Sequence, residues 1–82
     1  MNTIFDWQEV KLPIETRLRI TSWYCTLNKH FANVAFVTAR IVPESQGYIV
    51  LCRVAYYAID VDRNYVADIA LLPDGSLELW AN

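Results

Sequence analysis

The chain has 82 residues, of which 55% are hydrophobic, and it carries 3 Trp, 5 Tyr and 3 Phe. That is material for one packed domain over 1–82, although a chain of this length buries only about 60% of its unfolded surface and is expected to be modestly stable. A net charge of −2 without a basic run argues against nucleic-acid readout. The lack of any run of about twenty apolar residues argues against a membrane-spanning helix. Asp6 and Glu9 stand where a signal peptide would be basic, so the expected setting is cytoplasmic.

Residues 2–10 contain Ile4, Phe5, Trp7 and Val10 without a clean period, so they read as a short helix or an edge strand. Residues 13–31 fit two periods. Pro13 suits a first helical position, and Glu15 and Arg19 are spaced i, i+4 in the favourable order. Ile20, Tyr24, Leu27 and Phe31 form one helical stripe, widened by Trp23. The many Thr, Ile and aromatic residues suit a strand equally well. Proline and stripe together favour the helix.

The rest of the chain reads as four strands at 34–42, 48–59, 65–72 and 76–81. The breaks between them carry turn residues: 43–47 (PESQG), 60–64 (DVDRN) and 72–76 (LPDGS). In the last of these, proline presets φ for the first central position, Asp tolerates the second, and Gly75 accepts the left-handed conformation that closes a three-residue hairpin loop. Residues 48–59 are apolar on both alternating faces, as in a central strand covered on both sides. Arg53 is the one charge in that strand and is expected at the rim of the buried face or paired with a carboxylate. Links this short require antiparallel neighbours. The expected fold is therefore α+β: one main helix packed on a four-stranded antiparallel meander, with a short N-terminal element.

Few groups suggest chemistry. Asp60, Asp62 and Asn64 match the first three ligand positions of a calcium loop. Tyr65 then replaces the required glycine and Leu71 the bidentate glutamate, so a turn with side chains bonded to their own backbone is the better reading. His30 is the single histidine, expected to cap the C-terminal end of the helix beside Lys29. Cys25 and Cys52 have no motif spacing and read as buried, reduced thiols. Cys25 and His30 lie five residues apart, so on a helix their side chains diverge. Arg17 and Arg19 would point to different helix faces and read as surface charges. No catalytic group, metal or cofactor is expected.

Charge and aromatic content point instead to recognition. Residues 11–53 hold six basic and two acidic groups, whereas 54–82 hold Arg63 against five acids, including Asp68 and Glu78. Tyr56 and Tyr57 must face opposite sides of their strand. One helix covers only one sheet face, so Tyr57, with Tyr48, Tyr65 or Trp80, is expected to form a sticky patch on the other. A small non-enzymatic protein-interaction module is the expected function, with Tyr48, Tyr57, Tyr65, Trp80, Asp68 and Glu78 as partner-binding residues. Size and charge suit an inhibitor, an immunity protein or a phage-encoded antagonist of host defence such as an anti-CRISPR. The alternative is a homodimer or larger oligomer that binds a small molecule at its subunit interface.

Overall fold

The computed structural model describes residues 8–45 and 47–81. Chain order is β1 (Gln8–Glu9), α1 (Ile14–Thr26), β2 (Phe31–Glu44), β3 (Gly47–Ala58), β4 (Arg63–Leu71) and β5 (Leu77–Ala81). The strands form one antiparallel sheet in the order β1-β2-β3-β4-β5. The meander of four long strands and the single packed helix are thus as the sequence leads one to expect. Of the N-terminal element, β1 supplies a two-residue edge strand on β2, and 2–7 lie outside the described residues. Among the described residues no helix is long and apolar enough to cross a membrane.

The helix is shorter than the 13–31 stripe suggests. It begins after Pro13, whose carbonyl accepts the Arg17 N–H at 3.1 Å, and its last residue is Thr26. Leu27 closes it by donating its N–H to the Tyr24 carbonyl. Beyond that point Asn28 takes over: its side-chain oxygen accepts the His30 N–H at 2.8 Å, and its carbonyl accepts the Phe31 N–H at 3.2 Å. Asparagine bonding its neighbours' backbone in this way competes with helix continuation. His30 therefore lies in the loop and not in the helix, which corrects the capping role read from sequence. Its carbonyl takes the Ile59 N–H at 2.8 Å and ties the loop to the end of β3.

Ile20 and Tyr24 are fully buried, one helical turn apart. Phe31 has left the helical stripe but still reaches Tyr24, and the two rings stack at 5.0 Å and 6° from the first residue of β2. Tyr56 on β3 tilts against both, at 5.1 Å from Tyr24 and 4.6 Å from Phe31, and Tyr65 on β4 stacks on Tyr56 at 5.9 Å. Aromatic contacts of this kind add about 0.5–1.5 kcal/mol each beyond the area they bury. Ala39, Cys52, Val54, Ala67 and Ile69 fill the rest of the core beneath the helix.

Register assigns the two faces. Cys52 lies opposite Ala39 on one side and Ile69 on the other, which puts Val50, Cys52, Val54, Tyr56 and Ala58 on the helix side. The intervening Ile49, Leu51, Arg53, Ala55 and Tyr57 take the opposite face. There Ile49, Leu51 and Ala70 are buried without belonging to the helix-side core.

Two bulges interrupt β2 opposite β3, between Ala32 and Ala35 and between Phe36 and Thr38. Asn33 sits at φ 54°, a left-handed conformation that asparagine tolerates better than most residues. Bulged strands bend, and these bulges fall in the stretch that carries Phe31, Val34 and Phe36 against the helix-side core. At the other hairpin, the Gly75 N–H bonds the Leu72 carbonyl at 2.9 Å with Gly75 at φ +89°, the turn that 72–76 encodes. Asp74 accepts both the N–H and the hydroxyl of Ser76, at 2.9 and 2.6 Å. Those bonds, the hydroxyl's first, hold its carboxyl below the usual aspartate range. The Arg19 guanidinium donates to the Gly75 carbonyl and so fastens the helix to this turn.

Candidate partner-binding surface

The six residues singled out for recognition do not share one face. Tyr48 and Tyr65 belong to the helix side at opposite ends of the sheet. Tyr48 is 66% exposed beside the β2–β3 turn, where with Glu44, Pro73 and Asp74 it lines a hollow of about 450 Å³. Tyr65 is half-covered through its stack on Tyr56. Tyr57, Asp68 and Glu78 lie on the opposite face.

Two of those three are already engaged within the chain. The Tyr57 hydroxyl donates to Asp62, and this bond raises the phenol pKa. Asp62 sits at φ 53° in the β3–β4 turn, and its carboxylate accepts from a strand tyrosine, whereas the reading from sequence had it bond its own backbone. Asp68 lies directly across from Arg53 and accepts from it in a two-pronged pair, Nε to Oδ1 at 2.9 Å and Nη2 to Oδ2 at 3.1 Å. Asp68 is thus the carboxylate that the lone strand arginine calls for. Among the described residues no three His, Cys, Asp or Glu side chains cluster as metal ligands.

Trp80 and Glu78 are placed differently, on the outermost strand. β5 pairs with β4 alone, and its other edge faces no described element. Glu78 aligns with Ala70, while a register shift beyond Leu79 makes Trp80 the additional residue between paired positions. Leu79 and Trp80 are 44% and 45% exposed. β4 extends past the end of β5, so Tyr65 and Val66 continue the same open margin, 41% and 46% exposed. The margin is apolar in its side chains and acidic in its setting, with Asp60, Asp62, Asp74 and Glu78 along this half of the chain.

The β2 edge is built in the opposite sense. It carries two bulges, Pro43 near its end, the short β1 over Arg40 and Ile41, and the helix alongside. Such features discourage strand-to-strand pairing. Between α1 and β2 run two adjoining hollows of about 450 and 250 Å³, both lined by Arg17 and Phe36. The Arg17 Nε is sealed from solvent and has no hydrogen-bond partner. A desolvated donor left in this state costs about 1–3 kcal/mol. Sequence reading treated Arg17 as an ordinary surface charge. Its position two residues before Arg19, which reaches the opposite side of the helix, was the available signal that it turns toward β2.

The thiols differ from each other. Both are unpaired, but Cys25 is exposed on α1, contrary to the expectation of two buried thiols. On the helix it directly follows the buried Tyr24, so its side chain points about 100° away from the core stripe. Cys52 is buried on β3, and burial pushes its pKa up to about 11. Compared with protein-family models, with curated proteins and with solved structures, the chain matches none.

Proposed function

We propose that this chain is a non-enzymatic protein-interaction module that engages a basic partner along β5. The observation that carries this reading is the outer edge of β5: a strand with an unpaired side, exposing Leu79 and Trp80 within an acidic half of the chain. An open edge of this kind offers main-chain hydrogen bonds to an added strand, and alternate side chains give that addition its specificity. Tryptophan is among the residues most enriched at binding hot spots. Glu78 and Asp74 supply charge that would speed the approach of a basic partner. The unpaired thiols of Cys25 and Cys52 support a reducing, cytoplasmic setting. Inhibitors, immunity proteins and phage-encoded antagonists such as anti-CRISPR proteins are the functional classes that suit a binder of this size.

The test is affinity capture from a host lysate with the tagged chain, run beside Leu79→Lys and Trp80→Ala. The expected result is one stoichiometric partner held by the wild type and lost by both variants, while their thermal unfolding stays within about 0.5 kcal/mol of wild type, as for exposed sites generally. Equal capture by all three would overturn the edge as the binding surface.

The same edge supports a second reading, a homodimer with a small-molecule pocket at its interface. Two β5 strands paired antiparallel about Leu79 would set Glu78 opposite Trp80 of the other copy and so avoid opposing like charges. A sedimentation measurement that shows only monomer at micromolar concentration would remove it.

A further inference from the structure

The groove between α1 and β2 is independent of the β5 edge and differs from it in charge. Ile14, Leu18 and Val37 form its apolar lips, 61%, 59% and 53% exposed. Arg17 stands where its two hollows meet, and Lys11 lines the larger one. Among the described residues no carboxylate lines either hollow. The Arg17 guanidinium thus faces no described carboxylate in the lining, and its buried Nε–H lacks an acceptor. Guanidinium groups pair best with planar, two-pronged acceptors, which is the geometry of a carboxylate. Arg53 and Asp68 show this pairing elsewhere in the same chain.

We propose that this groove is a second binding site, which takes a segment of another protein presenting a carboxylate between apolar side chains. The carboxylate accepts from the terminal Nη groups of Arg17, since Nε is sealed, with Lys11 adding attraction, and the flanking apolar groups cover Ile14, Leu18 and Val37. Charge complementarity selects an acidic segment over a basic one. A protein segment fits better than a free fatty acid because small amphiphiles are held in pockets that enclose most of their surface, whereas these lips stand more than half exposed. The bulges of β2 at Ala32–Ala35 and Phe36–Thr38 break the regular ladder, so docking here proceeds through side chains and not by strand addition. The chain would then carry two sites of opposite preference, basic partners at β5 and acidic ones at the groove.

The experiment is an NMR titration of the ¹⁵N-labelled full chain, followed through backbone amides and arginine Nε–H signals. The probes are acetyl-Leu-Val-Glu-Val-Leu-amide, the same peptide with Gln for Glu, and octanoate. The proposal expects shifts at Lys11, Leu12, Arg17, Leu18 and Phe36, with the Arg17 Nε–H moving most. It expects the Glu peptide to bind about tenfold tighter than the Gln peptide, the scale of one charge-assisted pair. Arg17→Gln should abolish that preference. Lys11→Gln, which lies outside the helix, should reduce it about threefold by losing a partly screened attraction. Leu79→Lys should leave it unchanged, which separates this site from the β5 reading. Equal affinity for the two peptides, no shifts in the groove, or octanoate binding as tightly as the Glu peptide would each overturn the proposal.

Discussion

The two faces of the sheet are built from the same strands by different means. On the helix side, β3 presents Val50, Cys52, Val54 and Tyr56 to a largely apolar neighbourhood closed by Tyr24 and Phe31. On the other side, its alternate residues include Arg53 and Tyr57, which are satisfied by Asp68 and Asp62. One face is held by burial and ring contact, the other in part by pairs of polar groups at the rim of a small apolar patch. The contrast shows how β3 can be apolar almost throughout and still belong to a sheet that carries one helix among the described residues. A strand need not be covered by a second layer when its cross-strand neighbours shield it.

The largest effect that separates the faces should come from Tyr24→Ala. This change removes a fully buried ring in contact with both Phe31 and Tyr56, and urea denaturation should show a loss of about 3–5 kcal/mol. A loss below about 1 kcal/mol would mean that the helix contributes little to the core.

An intermediate effect should appear as a pH dependence. The Cys52 thiol titrates at about 11 in the folded chain, against 9.0 for an ordinary thiol. A group whose folded pKa is raised contributes stability that is fully present below the unfolded value and is lost as pH rises toward the folded one. Stability should therefore fall between about pH 9 and pH 11, by on the order of 2 kcal/mol. Cys52→Ala should show a shallower slope over that window. A disulfide reagent at pH 8 should label the exposed Cys25 quickly and Cys52 only as the fold opens. Parallel slopes for the two proteins would count against burial of that thiol.

The smallest effect belongs to the opposite face. Asp68→Ala should cost about 1–2 kcal/mol by removing the acceptor of a half-exposed Arg53. Because Arg53 can turn to solvent whereas Asp68 is the less exposed partner, Arg53→Ala should cost somewhat more than Asp68→Ala, by leaving that carboxylate unpaired. If either loss equalled that of Tyr24→Ala, the distinction between a packed face and a polar-paired one would fail.

Much of this frame was legible in the residues. The 72–76 turn declared itself through Pro73 and Gly75, the four strands through the turn residues between apolar stretches, and the Arg53 pairing through the oddity of one charge in an apolar strand. What remained hidden depended on competition between local options. Phe31 continues the helical stripe of Ile20 and Tyr24, yet it serves the same cluster from a strand, because the chain turns after Thr26 and β2 carries the ring back against Tyr24. Asn28 and Asn33, which end the helix and bend β2, were the local signs of the change. The recognition residues were legible as types but not as a set. Alternation fixes which residues of one strand share a face, but it does not fix the register between strands, and register is what separates Tyr48 and Tyr65 from Tyr57.

The strand order repeats the chain order from β1 to β5. Each strand therefore finds its partner across one short turn, with the helix as the one long excursion, between β1 and β2. Each hairpin can begin pairing at its own short turn, where little loop entropy must be lost. The bond from Arg19 to the Gly75 carbonyl spans 56 positions and is an exception. It closes the longest loop among the side-chain hydrogen bonds described, so in folding the hairpins can form first and the helix be secured to the last turn at the end.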